Sequence, residues 1–132
     1  MAGEPILVVD DNPENLKLAR LLLKTEGYSV TTAMDAEEAL DQIRRAPPRL
    51  ILMDIQLPGM DGLELTTRIK ADPKTRNILI IAVTAYAMKG DEARVFAAGC
   101  DGYASKPIDI RELPKMIASL LAGAPEKHRE TR

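Results

Sequence analysis

Short apolar runs alternate with longer amphipathic segments along nearly all of this sequence, and this alternation restricts the possible folds more than any other feature. The runs are rich in β-branched and aliphatic side chains, which favours strands over helices. They predict strands at residues 5–9, 28–33, 50–53, 78–83 and 102–105. The amphipathic segments predict helices within residues 11–27, 35–45, 60–72, 89–99 and 109–123. Such alternation predicts a parallel sheet with helices on both faces.

The fold class follows from the handedness of the connections. Crossovers between parallel strands are right-handed, so the predicted α/β sheet is doubly wound. We predict five strands in the order 2-1-3-4-5, one of the two common orders for such sheets, with five helices around them. This order places the first and third strands side by side.

Capping residues predict where individual helices begin. Asp11 and Asn12 are both suitable caps for the first helix. Asp35 opens the second helix, and Glu38 follows three residues later in a capping-box pattern. Pro114 lies about one turn into the fifth helical segment, where a missing N–H is unfavourable. We therefore expect Pro114 to shift the start of the fifth helix.

Size and composition predict one globular domain in the cytoplasm. The chain has 132 residues, of which 45% are hydrophobic and 29% charged. We expect the domain to span residues 1–122 and a polar, disordered tail to occupy 123–132. The net charge of −2 offers no basic field for nucleic acid or anionic lipid. No membrane span or signal-peptide pattern is present, and the single cysteine fits a reducing compartment.

Polar side chains follow four of the predicted strands at the point where each strand ends. Asp10 and Asp11 follow the first strand, Asp54 the third, Thr84 the fourth and Lys106 the fifth. Each residue taken alone has an ordinary structural interpretation, such as a helix cap, a turn hydroxyl or a surface lysine. The carboxyl ends of parallel strands share one edge of the sheet, however, so these five side chains are expected to converge.

The chemistry of this set favours phosphoryl transfer. Three carboxylates within a few ångströms repel each other, and Mg²⁺ prefers such hard oxygen ligands. A lysine and a hydroxyl on the opposite side suit the oxygens of a phosphoryl group. Asp54 then becomes a carboxylate nucleophile that forms an aspartyl phosphate.

Other phosphate chemistries fit the sequence less well. The chain has neither a P-loop nor the glycine-rich turn of dinucleotide-binding folds, and its adjacent Asp10 and Asp11 differ from the D-x-D of haloacid-dehalogenase-type phosphatases. The single histidine, His128, lies in the predicted tail. Cys100 is interpreted as a small buried hydrophobic residue, not as a nucleophile.

Four separated segments carry a family resemblance: VVDDNPENL, LILMDIQLPGMDG, AVTAYA and GYASKPID. Together they resemble the receiver domain of bacterial response regulators, the CheY-like family, over roughly residues 5–122. The stretches MDIQLPGMDG and AYAMKGDEARVFAAGCDGYASKPID most resemble those of DivK-type single-domain regulators and of the receiver domains of hybrid histidine kinases. The resemblance implies a flavodoxin-like fold and a place in two-component signalling.

The resemblance also implies a role for each acidic residue. Asp54 would accept a phosphoryl group from a histidine kinase or a histidine phosphotransfer protein. Asp11 and Asp54 would ligate Mg²⁺ directly, while Asp10 would assist through water. The backbone carbonyl of Gln56 would supply a further ligand.

The same resemblance implies a phosphoryl pocket and a conformational switch. Thr84 and Lys106 would bind the phosphoryl oxygens. Thr84 and Tyr103 would form the switch pair, in which the hydroxyl is drawn inward and the aromatic ring follows. The bond between Lys106 and Pro107 is often cis in this family. A core tyrosine is the alternative interpretation of Tyr103.

Three further positions are expected to tune the lifetime of the phosphoryl group. Gln56 and Tyr86 would flank the mouth of the pocket and control access of water. Ala85 is small and would leave the phosphoryl group open to a donor. A half-exposed surface aromatic is the alternative interpretation of Tyr86.

The expected output is binding of other proteins rather than catalysis of a separate reaction. The output surface would comprise the fourth helix, fifth strand and fifth helix, with candidates Arg94, Val95, Ala98 and Tyr103. The chain would assist only its own phosphorylation and dephosphorylation. A stand-alone regulator is the preferred hypothesis. The alternatives are a receiver domain from a hybrid histidine kinase that carries phosphate within a relay, and a scaffold that is never phosphorylated.

Overall fold

Five parallel strands form one sheet in the order β2-β1-β3-β4-β5. The computed structural model describes residues 3–57, 59–84, 91–106 and 108–123. The strands are β1 (Pro5–Val9), β2 (Ser29–Ala33), β3 (Leu50–Asp54), β4 (Leu79–Thr84) and β5 (Gly102–Ser105). The predicted order is confirmed, and the predicted strand ends differ from these by at most one residue. Two of those differences place Asp54 and Thr84 as the last residues of β3 and β4.

Five helices alternate with the strands: α1 (Pro13–Thr25), α2 (Ala36–Arg45), α3 (Gly62–Ala71), α4 (Asp91–Ala97) and α5 (Glu112–Leu121). Among the described residues, none of these helices has the length and apolar character needed to cross a bilayer. Residues 89–90, which were predicted as the start of the fourth helix, lie outside the described residues, as does the predicted tail beyond Gly123.

Side-chain caps position the first two helices. Asn12 rather than Asp11 caps α1, because its Oδ1 accepts hydrogen bonds from the backbone N–H of Glu14 at 2.8 Å and of Asn15 at 3.3 Å. Asp35 caps α2 by accepting from the N–H of Glu38 at 2.8 Å. The Glu38 side chain accepts from the N–H of Met34, one residue before the cap, at 2.7 Å. In the predicted capping box, by contrast, the Glu38 side chain would accept from the N–H of Asp35 itself.

The start of α5 is set by Asp109 and Pro114. Asp109 Oδ1 accepts from the N–H groups of Arg111 at 2.9 Å and Glu112 at 3.1 Å, and these bonds lower the pKa of the Asp109 carboxyl. The helix begins at Glu112, so Pro114 lies in its first turn, where a missing N–H costs no helical bond. The expected shift of the helix start is confirmed.

The sheet has an apolar core on each face, as a doubly wound fold requires. Alternate residues of β1 point to opposite cores: Leu7 and Val9 pack with α2, α3 and α4, while Ile6 and Val8 pack with α1 and α5. The central strand β3 is buried along its whole length. Cys100 is fully buried in the first of these cores, which agrees with its interpretation as a buried hydrophobic residue.

Gly62 allows α3 to begin directly against the end of β3. Its N–H donates to the carbonyl of Ile55 at 2.7 Å. A Cβ atom at this position would overlap the backbone carbonyl of Asp54 and lie 2.8 Å from Ile55 Cα. Because the opposing atoms are backbone, they cannot move aside as a flexible side chain would.

A partly buried lysine holds the opposite, amino edge of the sheet together. Lys70 Nζ donates to the carbonyls of Ile78 at 2.7 Å and Arg76 at 3.1 Å, and to Asp101 Oδ2 at 2.9 Å. The same Asp101 oxygen accepts from the N–H of Ile80 at 3.0 Å. Lys70 thus joins α3 to the segments that lead into β4 and β5. No local sequence pattern predicted this network.

We expect Gly62→Ala to destabilise the fold by about 3 kcal/mol, since the new methyl group collides with rigid backbone. Gly102→Ala is the matched control, because the three atoms nearest to its Cβ would be side-chain atoms of Ile81, Met116 and Leu120, at 3.2 to 3.3 Å. Side chains can shift, so we expect a loss of about 1 kcal/mol for the control. Urea unfolding measures both, and equal losses would contradict the steric explanation.

We expect Lys70→Met to lower the free energy of unfolding by about 2–3 kcal/mol, because it removes the charge-assisted hydrogen bonds from Lys70 to Asp101 and to two backbone carbonyls. Lys17→Met, at an exposed position of α1, should change it by less than about 0.5 kcal/mol. Urea midpoints at constant slope give the comparison. A Lys70 variant as stable as the Lys17 variant would show that the network contributes nothing.

Candidate functional site

Three carboxylates meet at the carboxyl edge of the sheet. β1 and β3 are adjacent, with Val9 opposite Met53, so the residues that end these strands are neighbours. One carboxylate oxygen from each of Asp10, Asp11 and Asp54 lies within 4.8 Å of the others. Asp10 and Asp54 are buried, at 5% and 3% exposure, whereas Asp11 is exposed. The predicted convergence of the acidic residues is therefore present.

Backbone and amide donors orient the two buried carboxylates. Asp10 Oδ1 accepts from the N–H of Asn12 at 2.9 Å, and its Oδ2 accepts from Asn15 Nδ2 at 3.3 Å. Asp54 Oδ1 accepts from the N–H of Gln56 at 3.0 Å. Asn15 was not predicted as a site residue. Its position in the first turn of α1, one helical turn after Asp11, was the available signal.

Lys106 joins the acidic residues from the far side of the sheet. Its Nζ lies 3.0 Å from Asp10 Oδ2 and 3.1 Å from Asp54 Oδ2. Its backbone N–H donates to the carbonyl of Thr84 at 2.7 Å, which fixes the chain just after β5. The lysine side chain therefore reaches past β4 to the ends of β3 and β1, as the sequence predicted.

Burial and neighbouring charges act in opposite directions on the pKa values of Asp54 and Lys106. Burial raises the pKa of the Asp54 carboxyl above its ordinary value, although the Gln56 N–H and Lys106 oppose the change. Burial alone would lower the pKa of Lys106, but its bonds to Asp10 and Asp54 outweigh burial and raise that pKa. The ammonium therefore stays charged. One ammonium against three carboxylates leaves a negative site that attracts a cation.

The donor set fits a hard divalent cation. Mg²⁺ prefers carboxylate, carbonyl and water oxygens and keeps several of its waters. Asp10, Asp11 and Asp54 offer three oxygens close together, one of them on an exposed residue open to solvent. Gln56, whose N–H binds Asp54, is exposed to solvent.

Thr84 lies where the sequence placed it, at the end of β4 next to β3. In the register of these strands Asp54 is opposite Val83, so Thr84 is one residue beyond. Its side chain is buried, at 3% exposure. Tyr103, in β5, lies opposite Ala82 of β4 and is half-buried against the core that contacts α4. This burial agrees with the core interpretation of Tyr103 and leaves its switch role a prediction.

Several predicted residues have a different outcome. Ala85, Tyr86 and Pro107 lie outside the described residues, so their expected roles and the cis bond stay predictions.

Val95 was proposed as part of the output surface, and this is wrong. It is fully buried in the core on the α4 side of the sheet because it faces the strands. Arg94 is exposed and Ala98 is half-buried.

Comparisons with known proteins find a family model and relatives that match most of the chain. The family model for the response regulator receiver domain matches residues 6–118. The polar-differentiation response regulator DivK of Brucella anthropi is 47% identical over 119 residues, which cover 90% of this chain and 97% of DivK.

Solved structures agree in fold. A putative response regulator from Chloroflexus aurantiacus is 33% identical, with a TM-score of 0.87 over 91% of this chain and 98% of that chain. The receiver domain of a sensor histidine kinase from Pseudomonas aeruginosa is 36% identical, with a TM-score of 0.84 over 92% of this chain and all of the other. A magnesium ion is coordinated in the active-site cleft of that receiver domain.

Proposed function

Because the chain belongs to the family of response regulator receiver domains, which act in two-component signalling, we propose that Asp54 accepts a phosphoryl group from a phosphohistidine. The donor would be a histidine kinase or a histidine phosphotransfer protein. The observation that carries the proposal is the environment of Asp54. This residue is a buried carboxylate with one oxygen held by a backbone N–H and the other by Lys106.

Asp10, Asp11, Asp54 and the carbonyl of Gln56 would hold Mg²⁺, with Asp10 acting through water. When bound, the ion supplies positive charge that neutralises the carboxylates and the phosphoryl oxygens. Support for this assignment comes from the oxygen cluster itself and from the magnesium ion in the similar histidine-kinase receiver.

In the transfer step, an oxygen of Asp54 forms a bond to phosphorus while the bond from phosphorus to the donor histidine nitrogen breaks. The electron pair of the broken bond returns to the imidazole. Lys106 already contacts Asp54 Oδ2, so its ammonium lies near the position that the phosphoryl oxygens would take. Thr84 would donate its hydroxyl to one of these oxygens. Catalysis is thus mainly positioning and charge stabilisation.

The phosphoryl group would act as a switch by shifting a pre-existing equilibrium. Complete switching needs ~5.5 kcal/mol of differential stabilisation. Contacts from Thr84 and Lys106 to the new group would favour the active state, and Tyr103 would move with Thr84. Partners would then bind the surface formed by α4, β5 and α5, which carries Arg94 and Ala98.

The tuning residues act on phosphoryl lifetime in this proposal. Gln56, Ala85 and Tyr86 would control access of water and of the donor. The chain would assist its own phosphorylation and dephosphorylation without being an enzyme for another substrate.

We further propose a receiver domain at residues 1–122, a polar tail at 123–132 and a stand-alone, cytoplasmic regulator. The DivK relative, matched over nearly its whole length, favours this form. The alternative is a receiver domain of a hybrid histidine kinase, favoured by the likeness to the Pseudomonas receiver. Rapid return of the phosphoryl group to a phosphotransfer histidine would favour that alternative. A long-lived aspartyl phosphate would favour the stand-alone regulator.

We expect acetyl phosphate with Mg²⁺ to add one phosphoryl group to the wild-type chain and none to Asp54→Asn, because the amide is not a nucleophile for this step. Asp41→Asn is the control, since Asp41 is a carboxylate on the outer side of α2 that pairs only with Arg44 and Arg45 among the described residues. Intact-protein mass spectrometry measures the addition. Labelling of the Asp54 variant equal to wild type would refute the assignment.

We expect Lys106→Ala to bind beryllofluoride with Mg²⁺ but to lose most of the response of β5 and of the neighbouring α4, because the ammonium connects β5 to the acceptor. Amide shifts of Tyr103 and Arg94 in ¹⁵N NMR report the response. Lys115→Ala, at an exposed position of α5, should respond as wild type does. Full amide shifts in the Lys106 variant would show that this lysine does not transmit the signal.

A further inference from the structure

A groove of about 500 Å³ lies at the same carboxyl edge of the sheet as the candidate site, and none of the described site residues lines it. One wall is the first turns of α2, and the other is the loop that precedes α3. The described residues that line it are Asp35, Ala36, Glu37, Leu40, Gly59 and Met60. A second groove, of about 390 Å³, lies between β5 and α5 and belongs to the proposed output surface.

The floor of the first groove is apolar and held in place. Leu40 and Met60 are half-buried and pack against the core shared by α2, α3 and α4. Ala36 is buried at 5% exposure, and α2 is anchored at its start by the Asp35 cap. Met34, just before that cap, is 41% exposed. The apolar floor therefore has its shape before a partner binds, and this reduces the entropy lost on binding.

The rim of the groove is acidic. Asp35 and Glu37 are its charged residues, and no lysine or arginine is among the described residues that line it. Glu37 is exposed and makes no ion pair within the described part of the chain. An apolar floor with an acidic rim, on which Glu37 has no ion pair among the described residues, favours a partner that is both apolar and basic.

We propose that this groove docks a short amphipathic helix of a partner protein, with Leu- or Met-like side chains in one stripe and Lys or Arg beside them. A helix satisfies its own backbone hydrogen bonds, so it can lie on the floor formed by Leu40 and Met60 although that floor offers no hydrogen-bond donors. The basic side chains then meet Asp35 and Glu37. Nucleic acid and acidic peptides are disfavoured by the same rim.

The test uses two alanine-rich helical peptides of about 15 residues that carry the same leucine stripe. One has lysines beside the stripe, and the other has glutamates at those positions. ¹⁵N NMR of the unphosphorylated chain is recorded during titration with each peptide. We expect the lysine peptide to shift the amides of Glu37, Leu40 and Met60, and the glutamate peptide to leave them unchanged.

Two variants examine the floor and the rim separately. We expect Glu37→Lys to weaken binding of the lysine peptide by about fivefold and to strengthen binding of the glutamate peptide. Met60→Gln keeps the length of the side chain but makes it polar, so it should weaken binding of the lysine peptide without allowing the glutamate peptide to bind. Circular dichroism and urea midpoints establish that each variant is folded.

Glu112→Lys is the control for the groove between β5 and α5, where Asp109 and Glu112 form another acidic rim. It should leave binding of the lysine peptide unchanged. Shifts confined to α5, or binding that Glu112→Lys abolishes and Glu37→Lys does not, would overturn the proposal. Equal binding of both peptides would do the same. The assay needs no phosphorylation, so its failure would leave the assignment of Asp54 untouched.

Discussion

The contact of Lys106 with Asp10 and Asp54 is the interaction on which the rest of the site depends. Two buried carboxylates and an exposed third one share one edge of the sheet, and each close pair repels by about 4 kcal/mol at the effective dielectric of a protein surface. The lysine follows β5, reaches past β4 and offsets part of that repulsion at the ends of β1 and β3. It therefore links the strand that carries Tyr103 directly to the carboxylate proposed as phosphoryl acceptor.

β5 is tied to the rest of the molecule by an ion pair at each of its ends. At the amino end, Asp101 bonds Lys70 and the N–H of Ile80. At the carboxyl end, Lys106 bonds Asp10 and Asp54. The first pair is remote from the candidate site, whereas the second would be rearranged by a phosphoryl group on Asp54. This asymmetry would let the carboxyl end of β5 respond while its amino end keeps its place.

Much of the fold and the candidate site could be predicted because the relevant signals are local. Strand periodicity, the Asp35 cap and the displacement of α5 by Pro114 each depend on a few consecutive residues. Gly62 and Lys70 were missed because each acts on a partner that only folding brings close, whereas Asn15 was missed although its place one turn after Asp11 was a local signal. Asn15 donates to Asp10 through its position on α1, Gly62 faces the backbone of β3, and Lys70 bonds Asp101, 31 residues away. Val95 was misplaced on the surface because residue identity alone does not tell which side of α4 faces the strands.

The sequence by itself determined that the chain alternates strands and helices and that acidic, hydroxyl and basic residues follow the strands, since these patterns reside in short stretches of chain. Only the tertiary structure decided at what distances and with what burial these residues meet. The order of the strands sets β1 beside β3 and so brings Asp10 to Asp54, and burial separates these two acids from the exposed Asp11. The acidic groove likewise exists only because α2 and the loop before α3 pack on the same core. Such contacts join residues far apart in the chain, and their distances are set by packing rather than by local propensity.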